Sequence, residues 1–251
     1  MKPVSARLPA ISLVVPAWNE EALLPRLLES VEDAGRRLEA ARQGAAIETI
    51  VADNDSSDST AAIASARGCK VVAVAERAIA AARNAGAAAA TADVIAFVDA
   101  DSLVHPDCFI EIVDAMSSER ISGGATGVRM ERMSLGIALT YASLLPMVWL
   151  TGMDSGVVFC RRADFVALGG FDPGRLAAED VHFQWRLRRR VRARGERLVR
   201  LTRVKTITSS RKFDRHGDWH FFRQMPGLAW RVFRGRGAFA EFAKRYWYDE
   251  R

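Results

Sequence analysis

Two pairs of carboxylates stand out by type and spacing. Asp99 and Asp101 follow the run Val94–Val98, and Glu179 and Asp180 open the basic stretch EDVHFQWRLRRR. Val94–Val98 (VIAFV) is rich in β-branched and aromatic residues, which suits a buried parallel strand. In an open α/β sheet, ligands bind just beyond the C-terminal ends of the strands. Two acids placed there, with no basic residue beside them in sequence, suit a hard divalent cation, which prefers carboxylate oxygen and keeps open positions for phosphate. The plainer alternative is a loop Asp capping a helix that starts near Pro106, with a solvated neighbour. For Glu179 and Asp180 the plain reading is stabilisation of acids at a helix N-terminus by its dipole. The chemical reading is that an ionised carboxylate there acts as a general base.

Further polar groups gather at strand exits. One apolar run leaves through Pro16-Ala17-Trp18-Asn19-Glu20, a second through Asp53-Asn54-Asp55, and a third through Asp99-Ala100-Asp101. Parallel strands share a C-terminal edge, so the three exits are expected side by side. Capping and Asx-turn preferences account for each singly, but less well for three on one edge. Arg83 and Asn84 lie in an alanine-rich stretch, where an arginine has the reach for a phosphate or a base. Gly156 and the Gly169-Gly170 pair permit close backbone approach to a ligand. The loop through Phe171 is expected to leave room in front of Asp180.

The elements that would carry these groups follow from hydrophobic periodicity. Strands are predicted over Ile11–Val15 (ended by Pro16), Ile47–Ala52, Lys70–Val74 and Val94–Val98. They alternate with helices from Asn19–Glu21 to about Arg42, over Ser59–Ala66 and over Ala78–Ala90. Ser57 and Asp58 are candidate caps for the second helix. This alternation is the signature of a doubly wound parallel sheet. Beyond Asp101 the rhythm changes. A helix is predicted over Pro106–Ser117, strands over Gly123–Arg132 and Ser155–Cys160, and a helix over Arg162–Leu168. A turn at 169–173, a helix over Glu179–Arg194 and an extended segment over Leu198–Thr208 follow. From Asp218 on, Arg alternates with Trp, Phe and Tyr in expected helices.

Composition narrows the class. The 251 residues are 49% hydrophobic and 26% charged, with net charge +6, as for a folded protein that contacts anions. The three cysteines show no C-x-x-C metal or redox spacing, and their odd count argues against a disulfide framework. No G-x-G-x-x-G follows the first strand, and no G-x-x-x-x-G-K-[ST] or H-E-x-x-H occurs, which argues against dinucleotide, P-loop and zincin chemistry. His105, His182, His216 and His220 form no ligand set by spacing. The start MKPVSARLPA leads straight into a strand, so no signal peptide is expected; the setting expected is the cytoplasm, with peripheral contact on the inner face of a membrane.

Four stretches together are specific: ISLVVPAWNEEALLPRLLESV, IVADNDSSDST, AARNAGAAAATADVIAFVDADS, and GMDSGVVFCRRADFVALGGFD followed by AEDVHFQWRL. Over about residues 11–190 the chain resembles family 2 glycosyltransferases of the glycosyltransferase-A fold. The resemblance implies an α/β fold with a Rossmann-like, mostly parallel sheet flanked by helices. It implies a metal-dependent enzyme that inverts the anomeric centre, moving a sugar from a nucleotide diphosphate sugar, a UDP-sugar by preference, to an acceptor hydroxyl. Pro16, Ala17, Glu20, Asp53, Asn54 and Arg83 match nucleotide-holding positions; Asn19, Asp55, Asn84, Asp99, Ala100 and Asp101 complete the expected nucleotide side. Asp99 and Asp101 match the DXD motif, which holds Mg2+ or Mn2+, with Asp101 the more direct ligand. Asp180 matches the base of the xED motif, beside Glu179. Gly156, Gly169, Gly170 and Phe171 are expected on the acceptor and sugar side. The sequence departs from the family at Asp55, where a glycine is usual. It departs again in ITSSRKFDRHGDW, where His216 is displaced from the place of a metal-binding histidine.

The resemblance suggests a catalytic domain over 1–217, with a nucleotide part at about 9–101 and an acceptor part at about 102–217, and a basic aromatic helical extension over 218–251. Met133–Met153 holds no charged residue. Spanning a bilayer there would separate two halves of one site, so a buried, dimer-forming or membrane-surface helix is expected. With the basic tail it points to a lipid-linked or cell-envelope glycan acceptor. The competing readings are a non-catalytic nucleotide-sugar-binding relative, which intact Asp99, Asp101 and Asp180 disfavour, and a sugar nucleotidyltransferase, whose glycine-rich loop Pro16–Glu20 lacks. Nucleic-acid binding rests on the basic pI alone and is not expected.

Overall fold

The computed structural model describes residues 11–151, 154–175 and 179–223, and the side chains of these except 144–151. The first half alternates strand and helix: β1 (Ile11–Ala17), α1 (Leu24–Ala41), β2 (Ile47–Asp53), α2 (Thr60–Ala66), β3 (Lys70–Ala73), α3 (Ile79–Ala88) and β4 (Val94–Phe97). The four strands are parallel in the order β3-β2-β1-β4. The two-residue period of β1 sorts its side chains. Ile11, Leu13 and Val15 enter the core with α1, while Val14 joins Ile50 and Ile95 on the opposite face. That double burial is why these strands read as continuous apolar runs.

The second half runs β5 (Ser102–Leu103), α4 (Cys108–Met116), β6 (Ile121–Met130), α5 (Leu135–Thr151), β7 (Val158–Arg161), α6 (Arg162–Ala167), α7 (Glu179–Arg192), β8 (Arg197–Thr208) and α8 (Arg211–His216). The sheet continues as β4-β7-β6-β8-β5. β7 is antiparallel to both β4 and β6, β8 is parallel to β6, and β5 is antiparallel to β8. The purely parallel rhythm of the first half therefore ends at β4.

Several boundaries differ from the sequence expectation for local reasons. β1 runs through Pro16 to Ala17. The β1–β4 register stops at Val14↔Phe97, so the missing N–H of Pro16 lies beyond that ladder. α1 begins at Leu24 rather than at Asn19–Glu21, because Asn19 takes a left-handed φ of +52° and shapes a loop instead. The second helix opens at Thr60 with Ser59 in the N-cap position, so neither Ser57 nor Asp58 is its cap, though Asp58 Oδ1 accepts from the Thr60 backbone N–H. β5 and α8, two and six residues long, have no counterpart in the predicted elements. Residues 224–251 of the expected C-terminal extension lie outside the described residues. Among the described residues no helix is long and apolar enough to cross a membrane.

Candidate active site

The exits of β1, β2 and β4 lie on one edge, with Ala17 opposite Asp53 and Val14 opposite Phe97. Their loops are stitched to one another by side chains. Asn19 Oδ1 accepts from Ser57 N at 2.9 Å, Ser56 Oγ accepts from Asn19 N, and Thr60 Oγ1 accepts from Glu20 N. Asn54 is buried and donates to the carbonyls of Val74 and Glu76, which fixes the approach to α3. Asp55 sits at φ +63°, a conformation Asp tolerates far better than most residues, which explains how it stands where the family favours glycine. It pairs with Arg77, whose guanidinium lies 4.9 Å from the Trp18 ring centroid. Asp53, half-buried, accepts from Ser56 N. Pro16, Ala17 and Ala100 contribute backbone and a buried floor to this edge.

Arg83 connects the two carboxylate pairs. Its guanidinium is buried and lies 5.3 Å from the centroid of Phe171. Nη1 donates to Glu179 Oε1 at 2.5 Å and Nη2 to Asp99 Oδ1 at 2.7 Å. Burial works against its charge, but Asp99, Glu179 and Asp180 outweigh that and raise its pKa. Burial pushes the Glu179 carboxyl above its ordinary value, opposed by Arg83 and reinforced by Asp180 and Asp99. The helix dipole alone would have kept Glu179 low, so at this residue desolvation wins. The two acids at the end of β4 are also paired after all. Asp99 takes Arg83, and Asp101 Oδ2 lies 3.5 Å from Arg211 Nη2; both partners are remote in sequence.

Asp99 and Asp180 line one hollow with Arg83, Phe97, Val98, Ser155, Gly156, Val158 and Phe171. Asp101 lines a neighbouring one with Arg26, Glu131 and Ser209. The acid that shares a hollow with Asp180 is therefore Asp99. The close backbone approaches at the glycines are to protein. A Cβ on Gly156 would run into Thr126 Oγ1 and the Gly127 carbonyl, and one on Gly170, at φ +71°, into Asn84. Asn84 clasps this turn: Nδ2 donates to Phe171 O and Phe171 N donates to Oδ1, both at 2.9 Å. Gly169 turns the chain at φ +70° with open space around it. Below, Phe97, Phe165, Phe171 and Phe183 pack with ring centroids 4.7–5.7 Å apart. Asp164 on α6 anchors α7 through Arg190 and Arg194.

The donor chemistry fits a hard cation. Asp99 and Asp101 offer carboxylate oxygens at a strand end, and a small divalent ion is commonly held by one or two carboxylates with substrate phosphates completing its shell. Among the described residues no group of three His, Cys, Asp or Glu side chains converges on a metal position, and His216 stacks on His220 instead. Two buried N–H groups on the same edge, Trp18 Nε1 and Arg83 Nε, have no hydrogen-bond partner among the described residues. Sequence reasoning missed Arg211 and Arg77. A basic residue just past a strand end was the signal for Arg211, since that exit meets the same edge.

The comparisons agree with this geometry. The protein-family profile "Glycosyl transferase family 2" matches residues 12–137, just over half of the chain. A pre-mycofactocin glycosyltransferase of Mycobacterium tuberculosis is 32% identical over 121 residues, covering 43% of this chain. The chain spans about a quarter of that relative, the match covering 26% of its length. Among solved structures, a mannosyltransferase from Pyrobaculum calidifontis with GDP-Man and Mn2+ aligns with TM-score 0.63 and 17% identity, over 95% of this chain and 69% of its own. The glucosyl-3-phosphoglycerate synthase of Mycobacterium tuberculosis with Mn2+, UDP and glucosyl-3-phosphoglycerate aligns with TM-score 0.60 and 23% identity, over 87% of this chain and 79% of its own. The motif order, the shared strand edge and the family match lead to one assignment: the chain belongs to glycosyltransferase family 2 and has the glycosyltransferase-A fold.

Proposed function

We propose that this protein transfers a sugar, with inversion, from a nucleotide diphosphate sugar to an acceptor hydroxyl. The observation that carries the reading is the hollow in which Asp99 and Asp180 meet, with Arg83 bridging Asp99 to Glu179. The loops after β1 and β2, with Pro16, Ala17, Asn19, Glu20, Asp53, Asn54 and Asp55, form the nucleotide side; Arg83 and Asn84 hold its boundary with the acceptor side. A UDP-sugar is the donor we favour. Asp99 and Asp101 would hold Mg2+ or Mn2+, which when bound neutralises charge on the leaving diphosphate. Asp180 takes the proton of the attacking hydroxyl, and Glu179 holds Arg83 beside it. Gly156, Gly169, Gly170 and Phe171 shape the acceptor side.

The division into a nucleotide part at about 9–101 and an acceptor part at about 102–217 belongs to this reading, as does an acceptor that is lipid-linked or a cell-envelope glycan. Peripheral contact with the cytoplasmic face of a membrane, or a homodimer, is supported by α5, which carries no charged residue and exposes Leu135. The decisive experiment compares wild type with Asp180→Asn in donor binding and in transfer. Binding is expected to persist while transfer falls roughly 10²–10⁴-fold, the usual contribution of a general base. Since Asn also caps helices, near wild-type transfer by a folded Asp180→Asn variant would reduce Asp180 to a cap.

A further inference from the structure

β8 does not run evenly beside β6. Arg200 stands opposite Ala125 and Leu201 opposite Thr126, but the residue opposite Gly127 is Lys205. Residues 202–204 are looped out of the ladder; Val204 turns into the core and Arg203 stays exposed. In an unbroken strand, residues five apart point to opposite faces. Here the irregularity brings Arg200 and Lys205 to one face, two ladder rows or about 7 Å apart along the strand. Bulges beside functional sites re-aim side chains in this way.

That face is the one with the Asp180 hollow. Ala125 is also the ladder partner of Val158 on β7, which lines the hollow with Asp180. Arg200 is therefore two strand spacings, about 10 Å, from that lining. Gly127 lies beside Gly156 of the same lining, since a Cβ on Gly156 would stand 2.8 Å from the Gly127 carbonyl oxygen. The stem of Lys205 lies along Gly127, with Cγ, Cδ and Cε 3.4–4.0 Å from where a Cβ there would be. Arg200 Nε donates to Asp154 Oδ2 at 2.7 Å. Gln184, one turn along α7 from Asp180, donates to the Asp154 carbonyl at 2.8 Å. The guanidinium is thus tied to the loop that leads into the lining and to the helix that carries Asp180.

The protein leaves this pair short of negative charge. Asp154 takes only the Nε of Arg200, so neither terminal nitrogen has an acceptor among the described residues. Lys205 has no ion-pair partner among them either. The donor's diphosphate is assigned to the exits of β1, β2 and β4 and makes no use of these two cations. A planar fork of N–H donors beside an ammonium matches the oxygens of a phosphate. We propose that Arg200 and Lys205 hold a phosphate group of the acceptor, so that the hydroxyl presented to Asp180 belongs to a phosphate-bearing molecule, either a soluble ester or a lipid headgroup. The proposal rests on the transferase reading, whose acceptor side it specifies. The residues foreseen for that side, Gly156, Gly169, Gly170 and Phe171, supply shape but no charge, and the two strand cations supply it.

The test is calorimetric titration of glycerol 3-phosphate, with glycerol as the uncharged counterpart, into the full chain already saturated with UDP and MnCl2. The filled nucleotide site then cannot take the phosphate. Wild type is expected to bind the ester and not glycerol. Lys205→Gln and Arg200→Gln should each weaken the ester roughly tenfold to a hundredfold, the scale of a hydrogen bond to a charged group. Arg162→Gln, the same charge change on an exposed residue at the opposite edge of the sheet, should not. Arg200 also holds Asp154, so if Arg200→Gln does not fold, Lys205→Gln carries the comparison. Flotation with phosphatidic acid in phosphatidylcholine vesicles, for the same variants, separates the two sources. A loss in Lys205→Gln seen only with vesicles assigns the phosphate to a lipid; a loss with the ester assigns it to a soluble acceptor. Equal behaviour of wild type and Lys205→Gln toward both ester and vesicles would overturn the proposal, as would an equal loss in Arg162→Gln. Failure of the wild type to bind UDP or GDP, with or without manganese, would instead overturn the transferase reading and the acceptor assignment with it.

Discussion

Asp164 and Arg194 are joined by two hydrogen bonds, of 2.6 and 2.8 Å, between the buried start of α6 and the turn beyond α7. Arg190 adds a third at 2.9 Å. This clasp sets where α7 lies, and α7 begins with Glu179 and Asp180.

The Asp164 clasp makes stability depend on pH. Hydrogen bonds from Arg194, and then Arg190, hold the Asp164 carboxyl below its ordinary value against the cost of burial. A depressed carboxyl stabilises the fold above its unfolded-state pKa, and that contribution is lost as pH falls through the lower folded value. Asp164→Asn is expected to cost about 1–3 kcal/mol at pH 7. The difference from wild type should shrink as the solution is acidified past the carboxylate range. Urea denaturation at pH 7 and pH 3 measures both; an equal gap at the two pH values would detach Asp164 from the effect.

Asp101 is expected to link metal and nucleotide binding. In wild type, Mn2+ or Mg2+ should tighten UDP binding, and UDP should bind better than GDP. In Asp101→Ala the metal-dependent gain should fall at least about tenfold, on the scale of one charge-assisted contact. Calorimetry with each nucleotide, with and without metal, checks this. An undiminished metal effect in the variant would remove Asp101 from the cation site, and tighter GDP binding would change the choice of base alone.

The start of α5 is expected to meet a lipid surface. Met133, Leu135 and Leu139 are 57%, 69% and 38% exposed there, and the helix has no charge to resist transfer into an interface. Flotation with phosphatidylglycerol vesicles should carry wild type at low salt, less at high salt, and Leu135→Glu less at either. No flotation under any condition, together with a stable dimer that Leu135→Glu dissociates, would make this surface a subunit interface.

The first half was legible because β1 and β4 are buried throughout and read as unbroken apolar runs, while α1 between the first strands is amphipathic. The strand-end acids were legible for the same reason: a strand's end fixes an edge. Their ion pairing was not, because Arg83 and Arg211 reach Asp99 and Asp101 only after the chain has folded back. Asn54 and Asn84 showed their polarity in sequence but not their partners, which are backbone groups of distant loops. β7 was foreseen as a strand, but its reversed place between β4 and β6 is a tertiary fact that no local pattern encodes. β5 and α8 are too short to carry a period.

The insertion of β7 has a consequence for the order in which the chain acquires structure during synthesis. β4 is covered on one side by β1 once both strands have emerged from the ribosome, but its other side pairs with residues 158–161. Until those emerge from the ribosome, an apolar VIAF strand presents an open row of backbone donors and acceptors, the kind of edge that recruits other chains. The interval is longer than the uncharged α5 segment that must also find its place within it. Heterologous production that ends the chain before β7 would leave that edge permanently uncovered, so truncations for biophysical work are better placed after β8 than between β4 and β7.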